Sequence, residues 1–263
     1  MEQVTENPIV EDAMNMNDSR KQGRRGFLGA VVAASAGLAV GWPQFVRCAD
    51  GANASLKIGV IGSGRIGGTL GEFWVKAGYP VMFSSLDLEH DKELAARLGS
   101  GARAGTPAQA AAFGDVLLVS VPYGALPQLG RDIGDSIKGK VILDTSNPVQ
   151  ARDGEMAVAA RAKGAGVASA EYLPGARLVR AFNSVGYMSL RSEAHRAGDK
   201  IASPLAGDDA AALQVAVRLV EAAGFEPVVV GPLSKAKAFD VGTPVFGKAL
   251  TASELRKGLG MGT

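Results

Sequence analysis

The stretch Lys57-Ile-Gly-Val-Ile-Gly-Ser-Gly-Arg-Ile-Gly67 constrains this chain more than any other, because a short apolar run leads straight into Gly62-x-Gly64-x-x-Gly67 and then into a helix-forming segment. Strand, glycines and helix stand in the order that a dinucleotide-binding βα unit requires. Gly62 permits the tight turn, Gly64 lets a pyrophosphate approach the backbone, and Gly67 lets the helix lie close on the strand. The unpaired N–H groups and positive dipole end of a helix starting near Arg65 would hold the phosphates, with Ser63 and Ile66 in the same turn. A chain with 35 glycines produces such triplets easily, so the plain alternative is a Gly-rich turn. The flanking strand and helix decide for the nucleotide.

Ahead of this strand, Gly23-Arg24-Arg25-Gly26-Phe27-Leu28-Gly29 precedes an uncharged apolar run to Val40, and the pattern reads as a twin-arginine export signal. The run is short for a bilayer span, which needs about 20 residues. Ala52-Asn53-Ala54 offers a small-residue cleavage site, which divides the chain into a signal region, 1–54, and a single domain, 55–263. A retained membrane anchor and a plain tail are the alternatives; with cleavage, no stable membrane insertion is expected. Gly23 replaces the usual polar residue before the arginine pair. The expected destination is the periplasm, reached as a folded protein. Cys48 is the only cysteine and falls in the segment expected to be lost, which leaves no disulfide framework, cysteine nucleophile or cysteine metal cluster. The formal net charge is +2 with no block of Lys and Arg after the signal, and nothing argues for nucleic acid.

Apolar runs of strand length recur at Lys57–Gly62, Pro80–Ser84, Val116–Val121, Lys140–Asp144, Leu178–Phe182, Ile201–Ala206 and Glu226–Gly231. Helical patterns fall at Ile66–Ala77, Asp91–Leu98, Thr106–Ala112 and Asp208–Ala223, the last with Asp208 as its cap. This alternation predicts an α/β fold with a Rossmann-type, doubly wound, mainly parallel sheet. Short strands continue after Asn147, which argues against an all-helical second domain of the 6-phosphogluconate or pyrroline-5-carboxylate reductase kind.

Several stretches together resemble the coenzyme F420-dependent NADP oxidoreductases, whose fold is also similar to the cytosolic domain of the STEAP metalloreductases. They are Ile58 to Gly67, Val121-Pro122-Tyr123, Asp144-Thr-Ser-Asn-Pro-Val149, Leu173-Pro-Gly-Ala-Arg-Leu-Val-Arg-Ala-Phe-Asn-Ser184 and Ala206-Gly-Asp-Asp209. The resemblance implies a nicotinamide dinucleotide and, as second substrate, a deazaflavin-like ring.

The ribose end of such a cofactor is read just past the second strand, where Asp or Glu signals NAD and basic or hydroxyl groups signal a 2′-phosphate. Phe83-Ser84-Ser85-Leu86-Asp87 stands there. Ser84 and Ser85 can donate to a phosphate and no carboxylate closes the strand, which favours NADP. Leu86 replaces the family's usual Arg, and Asp87 can instead meet a 2′-hydroxyl, so NAD stays open. Val121, Pro122 and Tyr123 end the strand Val116–Val121 on the ligand edge, where Tyr123 either packs on the cofactor or is an ordinary buried tyrosine. Asn147 and Asn183 end the next two strands; each is read as a ligand for the carboxamide or substrate, or as a turn residue.

No dehydrogenase acid–base pair is visible: His90 and His195 read as surface, as do Lys235 and Lys237. Hydride transfer between stacked rings needs alignment and a dry site rather than a general base. The expectation is therefore an NAD(P)-dependent oxidoreductase working on a small redox substrate such as F420, a flavin, a quinone or a ferric complex, with a pocket of Ser63, Arg65, Ile66, Tyr123, Asn147 and Asn183. The rival from another class is a non-catalytic dinucleotide sensor or carrier, marked by a closed nicotinamide end. A homodimer through an edge strand or through Thr243–Leu259, with Phe246 and Leu250, is a further possibility.

Overall fold

The computed structural model describes residues 56–262; the twin-arginine motif, Cys48 and the cleavage site lie outside the described residues. The strands are β1 (Ile58–Ile61), β2 (Val81–Ser84), β3 (Ala102–Ala104), β4 (Val116–Val119), β5 (Val141–Asp144), β6 (Arg177–Arg180), β7 (Ala202–Gly207) and β8 (Glu226–Gly231). The helices are α1 (Arg65–Lys76), α2 (Leu88–Leu98), α3 (Pro107–Phe113), α4 (Leu126–Ile137), α5 (Gln150–Lys163), α6 (Ala165–Tyr172), α7 (Tyr187–Glu193), α8 (Ala210–Ala222) and α9 (Ala252–Gly258). One sheet takes the order β3-β2-β1-β4-β5-β6-β7-β8. The first six strands are parallel, β7 runs antiparallel to β6, and β8 is parallel to β7. This is the expected Rossmann-type sheet with a reversed pair added at one edge.

Strand periodicity explains the layers. Along β4, Val116 and Leu118 point into the cluster that holds Leu70 and Trp74 of α1, while Leu117 and Val119 point into the one that holds Leu129 and Ile133 of α4. Both faces of the strand are therefore covered, as its uninterrupted apolar sequence requires. The Trp74 indole donates to the Leu219 carbonyl at 2.8 Å and so fastens α1 to α8 across the same face.

Strand β3 and helices α4, α5, α6, α7 and α9 are additions to the sequence reading, and the cap of α8 is a correction. The edge strand β3, Ala-Arg-Ala, is too short and too polar to show as an apolar run. Helix α4 buries Leu126, Leu129, Ile133 and Ile137, an i, i+3, i+7, i+11 stripe that was present in the sequence and passed over. Asp209 rather than Asp208 caps α8, accepting from Ala212 N at 2.7 Å; the Asp208 carboxylate accepts from Leu233 N at 2.8 Å, which ties down the chain after β8.

Candidate functional site

The sheet order reverses at β1, so the loops leaving β1 and β4 part there and open a crevice at the carboxyl edge. The glycines shape that crevice by steric means. Gly62 has φ +95°, and a Cβ on it would stand 2.2 Å from the Ser120 carbonyl oxygen. A Cβ on Gly67 would stand 2.1 Å from the Gly62 carbonyl oxygen, so the start of α1 can lie on the turn only without one. Gly64 differs: nothing lies within 4 Å of its Cβ position, which opens on the cleft. Gly62 N and Ser63 N both donate to the Ser84 carbonyl, at 2.8 and 3.1 Å, while Gly68 N donates to Gly64 O at 2.8 Å. No side chain caps α1. Its first N–H groups, from Arg65, are thus left for an anion, in keeping with the helix dipole.

Three hollows adjoin along this edge. A cleft of about 380 Å³ is lined by Gly64, Ile66, Val121, Pro122, Ser146 and Arg152 among others. It shares Ile66, Thr145 and Asn147 with an inner cavity of about 200 Å³ that is closed by Phe182, Asn183 and Phe246. It shares Gly64 and Arg65 with a groove of about 420 Å³ running between α1, α2 and α7. Phe246 thus faces this chain's own cavity and Leu250 packs against its core cluster around Phe239.

At the ribose end, the two serines expected to meet a phosphate divide. Ser84 is fully buried, and its hydroxyl donates to the Val60 carbonyl at 2.8 Å; it faces the sheet and does not reach the cleft, which corrects the sequence reading. Ser85 lies at the surface side of the turn and donates to Asp91 Oδ2 at 2.9 Å. The Ser63 hydroxyl donates to the other oxygen of Asp91. Asp91 is fully buried, so one carboxylate fastens the β1–α1 turn to the β2–α2 turn. Sequence reasoning missed it, because an acidic residue in a helix that also holds Glu89, Lys92 and Glu93 reads as surface. Asp87 caps α2 by accepting from His90 N at 3.0 Å, and Leu86 is fully exposed.

At the other end Tyr123 is corrected. It is fully buried, donates to the Ala165 carbonyl at 2.9 Å and accepts from the Ser169 hydroxyl at 3.3 Å. Burial pushes its phenol well above the ordinary tyrosine value. It anchors α6 under the site and cannot touch a ligand. Asn147 is a bridging residue: its Nδ2 donates to the Asn183 carbonyl at 2.8 Å and its Oδ1 accepts from Arg180 at 2.9 Å. Arg180 is buried completely, held by Asp144 at 2.9 Å, by Asp240 at 3.3 Å and by the Ser146 carbonyl at 2.5 Å. Asp144 and Arg180 are cross-strand partners at the ends of β5 and β6. Two strands ending in opposite charges at the same edge were the available signal for this pair.

Among the described residues, two buried side chains are left with something to offer, Ser146 with its hydroxyl at the outer cleft and Asn183 at the inner cavity. Asn183 Nδ2 points at the Phe239 carbonyl and Asp240 Oδ1, 3.3 and 3.5 Å away. Both are acceptors, which fixes the amide orientation. Its Oδ1 is buried with no partner, although Asn183 lines the inner cavity. A buried acceptor costs about 1–3 kcal/mol when unpaired, so a ligand N–H or O–H arriving there is favoured. Phe182, just before it, is held at φ +56°, a conformation rare for an aromatic residue.

Residues 57–148 match the family model described as NADP oxidoreductase, coenzyme F420-dependent. The resemblance read from the sequence is borne out over that stretch, and with it the assignment to the NAD(P)-dependent oxidoreductases. A hypothetical protein from Sinorhizobium meliloti superposes with TM-score 0.63 at 23% identity, over 74% of this chain and 95% of that one. A structure assigned as an F420-dependent NADP reductase from Arthrobacter sp. FB24 gives TM-score 0.57 at 17% identity, over 74% and 99%. An imine reductase from Streptomyces aurantiacus gives 0.52 at 20% identity, over 69% of this chain and 58% of that one. At such identities these structures speak for the fold. No curated protein matches the chain.

Proposed function

We propose that this chain moves hydride between a nicotinamide dinucleotide and a second, flavin- or deazaflavin-like ring. A bound nicotinamide supplies or accepts the hydride. The protein's part is to bind, orient and keep water out. The first-turn N–H groups of α1 and the bare face of Gly64 suit a pyrophosphate. Asn183 Oδ1 suits the N–H of a carboxamide or of the acceptor ring, and it is the observation that carries this reading. This reading gives the second partner the inner cavity past Asn147, whereas a sensor or carrier would need no such space.

The choice of a ring acceptor follows from proton supply. Reduction of a carbonyl or an imine needs a proton donor beside the accepting atom, whereas hydride passing between rings needs none from the protein. The inner cavity offers one titratable side chain, Tyr187, whose ring lies 5.3 Å from the Arg65 guanidinium carbon. The twin-arginine pattern supports export to the periplasm as part of the same reading, with residues 55–263 as the working domain.

The test is to purify the protein without added nucleotide, identify any dinucleotide released on denaturation, and assay reduced nucleotide against flavin, deazaflavin, quinone, ferric and imine acceptors. Ring acceptors should turn over in Tyr187→Phe nearly as in the parent protein. Turnover of imines alone, abolished in Tyr187→Phe, would replace ring chemistry by a proton-coupled reduction; binding without any turnover would leave a carrier.

A further inference from the structure

The ribose end of the cleft holds a proton inventory that its sequence conceals. A serine hydroxyl has one proton to donate. That of Ser84 goes to the Val60 carbonyl at 2.8 Å, and that of Ser63 goes to Asp91. That of Ser85 goes to Asp91 Oδ2 at 2.9 Å or to the Asp87 carbonyl at 3.1 Å. None of the three is left for a phosphate oxygen. Ser85 Oγ accepts from Asp87 N at 3.1 Å and keeps a second lone pair. It can receive a proton but not give one.

The charges agree. Asp87, Glu89 and Asp91 fall within five residues, the Asp87 carboxylate already occupies the start of α2 by accepting from His90 N, and Lys92 is paired with Glu89 at 2.7 Å. The cations bordering the groove belong to α1, α2 and α7 rather than to the β2–α2 turn: Arg97 and Arg191 share with Lys76 the one carboxylate of Glu72, at 3.9, 3.6 and 2.7 Å, and Arg65 lies over Tyr187. The exposed residue after Ser85 is Leu86, which brings no charge to a phosphate. A ribose 2′-hydroxyl brings its own proton; a 2′-phosphate brings only acceptors and negative charge.

We propose that this chain takes NAD(H) in preference to NADP(H), with Ser85, held by the buried carboxylate of Asp91, as the residue that sets the preference. The proposal rests on the dinucleotide reading above and reverses the NADP preference that two adjacent serines suggest.

Titration of the full purified chain with NADH and NADPH at fixed ionic strength, followed by nucleotide fluorescence, reads binding without catalysis. NADH should bind about tenfold more tightly, the worth of one hydrogen bond to a charged group left unmade. Leu86→Arg, at a fully exposed position that the fold does not need, should raise NADPH affinity about tenfold through a new phosphate contact and shift NADH by no more than about twofold. Equal affinities, or NADPH ahead, in the unaltered chain would overturn the preference and leave the dinucleotide reading intact. Binding of neither nucleotide would remove both.

Discussion

The two halves of the sheet build their ligand edges by opposite means. From β1 to β4 the edge is made of backbone: Gly62 and Gly67 let main chain lie on main chain, and the donors on offer are the N–H groups at the start of α1. From β5 to β8 it is made of buried charge, with Arg180 gathering Asp144, Asp240, Asn147 and the Ser146 carbonyl behind two unpartnered polar atoms, Ser146 Oγ and Asn183 Oδ1. The first device tolerates no side chain; the second fails if any one partner is removed. The family model, residues 57–148, covers the first half and runs on through β5 to Pro148.

If that contrast is right, the largest effect comes from Gly62→Ala. The new methyl meets the Ser120 carbonyl carbon and oxygen, which are backbone and cannot step aside, at a φ that L-residues avoid. A loss of about 4 kcal/mol or more is expected, with no nucleotide binding left at assay temperature. Gly64→Ala is the matched control, because its methyl enters open space: stability should stay within about 0.5 kcal/mol while nucleotide affinity falls. Equal melting temperatures for the two variants would break the claim that backbone contact shapes this edge.

Arg180→Met tests the other half. It leaves Asp144 and Asp240 buried without their cation and should cost about 3–5 kcal/mol in urea denaturation. Replacing Asp144 and Asp240 by Leu in the same chain should recover a good part of that, since apolar side chains need no partners. A triple variant no better than Arg180→Met would mean that the carboxylates have further work, such as the bond from Ala165 N to Asp240 Oδ2 at 3.0 Å.

The contrast also explains what was legible in the sequence. Backbone-built features announce themselves, because only glycine solves them: Gly62, Gly64 and Gly67 stand where the turn needs them, and the strands around them were found to within a few residues. Side-chain networks do not. Asp91 and Arg180 are charged residues in segments of ordinary pattern, and only their burial shows that they hold the site together. Ser84, Tyr123 and Asn147 were named for the correct places, but a strand end does not say which way a side chain turns: Ser84 and Tyr123 point inward, and Asn147 bridges two loops. The reversal of β7 against β6 was equally hidden, since strand direction leaves no trace in an apolar run.

Asn183→Ala separates the scaffold of the second half from its function. Only the long bonds from Nδ2 are lost, at 3.3 and 3.5 Å, so stability should fall by about 1 kcal/mol or less. The lost Oδ1 should lower kcat/KM about tenfold, and a lowered melting temperature with kcat/KM unchanged would make Asn183 a structural residue after all.

The smallest effect is one of pH, at the seam between the halves. Asp153 accepts from Gly124 N at 3.1 Å, on the loop after β4, and from Val149 N at 2.8 Å, at the start of α5. The hydrogen bond from the Arg152 guanidinium beside it holds its carboxyl below the usual range, the two backbone N–H groups add to this, and burial opposes it. A depressed folded pKa means that the unfolded chain takes up the proton first, so the contribution to stability is complete above about pH 4 and fades as pH falls through the folded value. The difference in urea midpoint between the parent protein and Asp153→Asn should therefore be widest near neutrality and close below about pH 4. Because Val149 and Arg152 line the outer cleft, nucleotide affinity should weaken over the same interval in the parent protein and not in the variant. A difference that stayed constant with pH would place the value of Asp153 in its geometry rather than its charge, and the seam would then belong with the backbone-built half.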